Sequence, residues 1–114
     1  MKVFKFGGAS VKDSAAVQNV SKLLARFQGD QLTVVVSAMG KTTNKLEEIV
    51  QALVNRDKNK FDSNLEELTE FHIDILGSLF VEKHFKVYQL VEETLETIAK
   101  KFNEPIPENK VFLY

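Results

Sequence analysis

The sequence predicts an α/β fold that opens with a βαβ unit on a parallel sheet and continues as a helical bundle region. Three observations carry this prediction. Two short β-prone runs, Val3-Phe4-Lys5-Phe6 and Leu32-Thr33-Val34-Val35-Val36, are stopped by Gly7-Gly8 and near Ser37. Between them, Ala15, Val17, Val20, Leu23, Leu24 and Phe27 recur at three- and four-residue spacing, the period of an amphipathic helix. After Ser37 the apolar spacing stays helical as far as Phe102.

Each element has its own local reason. The first strand ends where two glycines remove β propensity. The helix that follows has Asp13 or Ser14 as a candidate cap and Gly29 just past its end. The second strand shows almost no alternation, which suits a strand covered on both faces of a parallel sheet, and the crossover between the strands should be right-handed. A helix from about Thr43 to Asn55 would carry Leu46, Ile49, Val50, Leu53 and Val54 on one face. Arg56-Asp57-Lys58-Asn59-Lys60 reads as a polar break. A second helix is expected from near Ser63, where Ser63 and Glu66 have capping-box spacing, with Leu65, Leu68, Phe71, Ile75, Leu76 and Leu79 facing inward. A third holds Phe85, Tyr88, Val91, Leu95, Ile98 and Phe102 inward and stops before Pro105 and Pro107. The short connection from Phe80 to Lys83 favours an antiparallel helical pair. Val111-Phe112-Leu113-Tyr114 reads as the beginning of a further element.

The bulk numbers narrow the function classes. The 114 residues hold 15 Lys+Arg against 16 Asp+Glu, a net charge of −1, and no cysteine. That length fits one domain, which would bury roughly two-thirds of its unfolded surface. Without cysteine there is no disulfide framework, no thiolate metal site and no cysteine nucleophile. Balanced charge argues against a general polyanion-binding surface, so no nucleic-acid partner is expected. No run of 18 apolar residues exists, so no membrane span is expected. Structure beginning at Lys2 leaves no room for a leader, and a cytoplasmic location follows as an expectation.

Chemistry is most plausible at the two strand exits, because ligands of open α/β sheets bind outside the carboxyl ends of the strands. At the first, Lys5-Phe6-Gly7-Gly8-Ala9-Ser10 joins a strand lysine to two glycines. Glycines let backbone N–H groups approach an anion, and Lys5 adds a full cation. A lysine between Phe4 and Phe6 is unusual if buried, since an unpaired buried ammonium is costly. The competing reading is a solvent-facing edge lysine beside a plain turn. At the second exit, Ser37-Ala38-Met39-Gly40-Lys41-Thr42-Thr43-Asn44 contains Gly-Lys-Thr ahead of a helix. A phosphate-wrapping P-loop needs a glycine five positions before Gly40, and Val35 stands there, so that reading fails. What remains is a hydroxyl-rich turn suited to a small carboxylate or phosphate, or ordinary capping by Thr42 or Thr43. His72 reads as a bundle histidine, His84 lacks metal-ligand spacing, and Glu66-Glu67, Glu92-Glu93 and Glu96 read as solvated faces. No metal site is expected.

Together, Lys5-Phe6-Gly7-Gly8-Ala9-Ser10-Val11 and Val34-Val35-Val36-Ser37-Ala38-Met39-Gly40-Lys41-Thr42-Thr43-Asn44 resemble the opening of aspartokinase, in the amino acid kinase superfamily. The motifs, their order and the roughly 30-residue gap between them match. The helical stretch from Thr43 to Phe102 would correspond to the family's helical insertion. The resemblance implies an incomplete domain, the start of a parallel-sheet amino acid kinase fold. Residues 1–45 would be the βαβ unit with the phosphate and substrate loops, and residues 46–104 the helical region. It implies ATP-dependent phosphorylation of the side-chain carboxylate of L-aspartate with Mg²⁺, in a full-length homo-oligomer. By itself the stretch would be inactive. Lys5 would neutralise the transferring phosphoryl group, and Lys5, Phe6, Gly7, Gly8, Ala9 and Ser10 would form the ATP-phosphate region. Ser37, Ala38 and Thr43 would line the aspartate pocket. Ala9 departs from the family, which usually has Thr or Ser there, so a hydroxyl is missing while the backbone donor stays. Two other readings stay open: another carboxylate or carbamate kinase of the superfamily, or a non-catalytic helical binding or assembly module.

Overall fold

The computed structural model of the chain describes residues 1–80, 82 and 85–106. Its elements, in order, are strand β1 (Lys2–Phe6), a 3-10 turn (Gly8–Val11), helix α1 (Ser14–Ala25), strand β2 (Leu32–Val36), and helices α2 (Thr42–Val54), α3 (Lys58–Leu79) and α4 (Phe85–Lys100), closed by a second 3-10 turn (Lys101–Asn103). The fold is α/β, with a two-stranded parallel sheet. The described chain separates into two compact units, the first spanning Met1–Thr42 and the second beginning at Thr43.

In the first unit β1 pairs with β2 in parallel, from Lys2 opposite Leu32 to Phe6 opposite Val36. Strand alternation turns Phe4 and Phe6 toward α1. Phe4 lies 4.8 Å from Phe27 between ring centroids, and Phe6 and Val11 are the buried residues here. Asp13 caps α1, its carboxylate accepting from the Ala16 amide at 2.8 Å. The helix stops at Ala25, two residues short of Phe27, and a hydrogen-bonded turn carries the chain from Phe27 to Asp30. Gly29 holds the third position of that turn with φ of 89°, a conformation that disfavours any side chain. Lys2 fastens the turn, 3.2 Å from Asp30 and 4.8 Å above the Phe27 ring. The double cover expected for β2 is not supplied by the described residues: Val35 and Val36 are 48% and 55% exposed, and Val3 of β1 is 62% exposed.

The second unit is a helical bundle around Ile49, Ala52 and Leu53 of α2 and Phe61 and Leu68 of α3. Leu46, Leu65, Leu95, Ile98 and Phe102 pack against them at partial burial. The inward positions expected for α4 hold from Leu95 to Phe102, while Tyr88 and Val91 are half-buried. The connection through Lys83, His84, and the run Val111–Tyr114 lie outside the described residues, as does the Phe85 side chain.

The start of α3 differs from the sequence expectation. The helix begins at Lys58, so Ser63 and Glu66 lie inside it and form no capping box. Asp57 is the physical reason. Its side chain accepts from the Lys60 amide at 3.1 Å as the cap of α3. Its own amide donates to the Ala52 carbonyl at 2.8 Å, while the Arg56 amide donates to Leu53 at 3.1 Å. That pair of bonds is a Schellman closure of α2, so one residue ends one helix and starts the next. The polar run 56–60 is therefore a corner and a first helical turn, and Phe61 just behind it is the most deeply buried side chain, at 1% exposure.

Arg56 pays the conformational cost of this corner. It occupies the left-handed position with φ of 54°, where glycine is the usual choice. Its guanidinium lies 4.2 Å from the Phe102 centroid, with Lys58 5.0 Å from the same ring. Replacing Arg56 with Ala removes the stack and keeps the backbone strain; replacing it with Gly removes both. Urea denaturation should place Arg56→Gly about 1 kcal/mol above Arg56→Ala in stability. Equal stability of the two variants would remove the strain argument.

Candidate functional site

The parallel pairing brings two loops out of the sheet at one end. Phe6 and Val36 are the last register pair, and the ladder ends with the Ser37 amide donating to the Phe6 carbonyl at 2.9 Å. Gly7–Ser10 therefore leaves beside Ser37–Thr42, at the carboxyl ends of both strands. The first unit holds Lys5, Phe6, Gly7, Gly8, Ala9, Ser10, Ser37 and Ala38. Thr43, also expected at the substrate pocket, stands in the first turn of α2 and opens the second unit.

Lys5 is exposed, on the sheet face opposite Phe4 and Phe6. Its oddness between two phenylalanines disappears once alternation is considered: the rings are turned toward α1 and the ammonium away from it. Phe6 has its side chain buried and its carbonyl taken by Ser37, so it supports the loop. The loop folds as a 3-10 turn, with the Ser10 amide donating to the Gly7 carbonyl at 3.0 Å. The N-terminus of α1 does not face the glycines freely, because this turn intervenes and Asp13 already caps the helix. The side chains of Ser10, Ser37 and Thr43 are without hydrogen-bond partners among the described residues, and all three are exposed.

The glycines of the chain fall into two kinds. Gly40 has φ of 55° and sits at the first central position of a turn closed by the Thr42 amide onto the Met39 carbonyl at 3.1 Å. The Thr42 hydroxyl donates to that same carbonyl at 2.6 Å, so it locks the turn instead of capping α2. Gly7 and Gly8 are different. Neither has a positive φ, and a Cβ built on either would meet nothing within 4 Å. Nothing within the described fold asks for glycine at these two positions.

Sequence reasoning passed over Lys12. It lies with Ala9, Ser10 and Asp13 along a groove of about 540 Å³ between the 3-10 turn and α1, floored by Phe6, Val20 and Leu23. Its signal was only its position, two residues past Ser10. Lys5, Lys12 and Lys41 are all exposed and without an ion-pair partner among the described residues, whereas the one acid beside them, Asp13, is taken by the Ala16 amide. The two exits are thus locally cationic on a chain of net charge −1. Among the described residues no group of three or more His, Asp or Glu could hold a metal ion. His72 is a bundle histidine, its Nδ1 2.9 Å from the Leu68 carbonyl.

Substitution separates the two kinds of glycine. Gly40→Ala should destabilise the chain by about 1 kcal/mol through its positive φ. Gly7→Ala and Gly8→Ala should leave the urea midpoint unchanged or slightly raised, because the unfolded chain loses freedom and the folded one gains no clash. Destabilisation by either of the latter would show a structural need that the geometry lacks.

Comparison with known proteins places the sequence in a family. The chain is 34% identical over 99 residues to an aspartokinase 2, chloroplastic, of Arabidopsis thaliana, an alignment covering 79% of this chain and 18% of that protein. It is 35% identical over 91 residues to an aspartokinase of Geobacillus stearothermophilus, covering 77% of this chain and 22% of that one. Over 86 residues it is 34% identical to aspartokinase 2 of Bacillus subtilis (strain 168), covering 73% and 21%. The chain therefore spans about a fifth of the length of these curated relatives. No described helix is long and apolar enough to cross a membrane. With residues 1–105 matching its characteristic sequence, this chain belongs to the amino acid kinase family.

Proposed function

We propose that this stretch carries the phosphate-facing loop and part of the acceptor loop of an aspartokinase, which transfers the γ-phosphoryl group of ATP to the side-chain carboxylate of L-aspartate. The observation that carries the reading is the Gly7-Gly8 pair, free of any conformational or steric need within the fold, beside the unpaired Lys5. The names of the relatives support the choice of acceptor.

The chemistry suits these residue types. A carboxylate oxygen of aspartate attacks the γ-phosphorus while the bond to the β-γ bridging oxygen breaks, giving 4-phospho-L-aspartate and ADP. An aspartate side chain, with an ordinary pKa near ~3.9, is already ionised at neutral pH. The nucleophile needs no general base. The obstacle is repulsion between two anions, and catalysis then rests on positioning and charge neutralisation. Lys5 is the cation for that task, Gly7, Gly8 and the Ala9 and Ser10 backbone are the phosphate cradle, and Ser37, Ala38 and Thr43 address the amino acid. ATP arrives as its magnesium complex. Among the described residues no group of three or more acids and histidines could hold a metal ion. The family resemblance alone carries three further parts of the reading: a homo-oligomeric full-length enzyme, a cytoplasmic location, and a product that feeds lysine, threonine and methionine synthesis.

The test is an aspartyl-phosphate assay, with hydroxylamine trapping, on the full polypeptide that carries residues 1–114. Aspartate should be phosphorylated in an ATP-dependent manner, and glutamate and N-acetylglutamate should not. Lys5→Ala should lower turnover about a hundredfold, the scale of one preorganised charge contact, with the melting temperature unchanged. Residues 1–114 alone should show no turnover. Preference for another carboxylate would replace the acceptor assignment, and near-normal turnover in Lys5→Ala would remove Lys5 from the mechanism.

A further inference from the structure

The first turn of α2 has little apolar anchoring. The buried ridge of the helix begins at Ile49, and before it Thr43 and Asn44 are exposed while Thr42, Lys45 and Leu46 are half-buried. Leu46 packs on the core at partial burial, and a polar cluster around one ammonium ties this end of the helix further to α3. Lys45 Nζ donates to Glu67 at 2.5 Å and to the Asn64 side-chain amide oxygen at 3.2 Å, both on α3, and to Glu48 of its own helix at 3.2 Å. The Lys45 side chain is only 24% exposed, and its head makes two bonds across to α3 and one within its own helix. The two carboxylates, Glu67 foremost, hold the ammonium above the ordinary lysine value of 10.5, so it stays charged throughout the working pH range.

We infer that Lys45 is a positioning residue for the amino-acid acceptor: its bridge to Glu67 and Asn64 fixes the turn of α2 from which Thr43 addresses the substrate. This rests on the assignment of Thr43 to the acceptor pocket. Lys45 itself touches no reacting atom. It stands two residues after Thr43, within the same helical turn, and a loosened turn would spread the Thr43 hydroxyl over several positions. Binding of the acceptor would weaken, while the nucleotide loop, which belongs to the other unit, would be unaffected.

Steady-state kinetics on the full polypeptide separate this role from a purely structural one. Lys45→Met and Glu67→Gln should raise the KM for aspartate about fivefold, with the KM for ATP and kcat within about twofold of wild type. Lys45→Arg, which keeps the charge and the reach, should restore the aspartate KM. Circular dichroism and thermal melting establish that each variant is folded, and Glu67→Gln, being isosteric, serves if Lys45→Met does not fold. An aspartate KM unchanged in both variants overturns the inference, as does a parallel rise in the KM for ATP. If the wild-type polypeptide phosphorylates aspartate and those KM values do not move, only this inference falls. If the wild type does not phosphorylate aspartate, the functional reading and this inference fall together.

Discussion

The parallel pairing of β1 with β2 is the constraint from which the rest of the first unit follows. An antiparallel pair would send the two loops to opposite ends of the sheet; the parallel register, closed by Ser37 onto Phe6, sends both to one end. Parallel strands need a crossover, and α1 supplies it. Once register and alternation are set, side-chain placement has no freedom left. Phe4 and Phe6 must meet the crossover helix, and Lys5 must project from the other face. A one-residue slip would put the ammonium among the rings and the rings in water, so the apolar interaction of Phe4 with Phe27 also keeps Lys5 available.

The two units obtain their order by different means. The first relies on turn chemistry: Gly29 and Gly40 at positive φ, Asp13 at a helix start, the Thr42 hydroxyl on the Met39 carbonyl. The second relies on burial, with Phe61 packed 5.1 Å from Phe102 and the Ile49, Leu53 and Leu68 side chains around it. Asp57 couples turn chemistry to burial there, because by closing α2 and opening α3 without a spacer it fixes where Phe61 enters the core. The exposed β-branched face of β2 has no comparable arrangement, and among the described residues it stays open to solvent.

Local signals were legible in the sequence and non-local ones were not. Both strands and the cap at Asp13 depend on residues within a few positions of one another, and they stand where the sequence places them; α1 ends at Ala25, earlier than the sequence suggests, and Gly29 serves the turn that follows. The start of α3 was misplaced because two caps compete within seven residues. Ser63 with Glu66 matches a motif, but Asp57 has in addition the α2 carbonyl at Ala52 to satisfy, a partner that only the folded corner supplies. Lys5 shows the same limit: its residue type invited a burial argument, whereas its strand phase settled the matter. For the candidate site, the sequence singled out the loops through Lys5, Gly7, Gly8 and Ser37, and the parallel register places both loops at one end of the sheet. The sequence could not distinguish a glycine that the backbone requires from one that it does not, since φ and neighbour distances exist only in three dimensions.

That distinction bears on what kind of anion site a nearly neutral chain can hold. A general polyanion surface works by charge density, and its binding falls steeply with salt because many counterions are released. The loops here offer instead isolated lysines and small residues on a chain whose charges almost cancel. Such a site gains little from long-range attraction and depends on short-range fit, where screening is weaker and a misplaced methyl group matters more than a distant charge. An unneeded glycine pair is what short-range fit demands. Under the proposed function, affinity for the ATP phosphates would then reside mainly in the geometry of Gly7, Gly8 and their neighbours, and Lys5 would act where charge develops in the transfer.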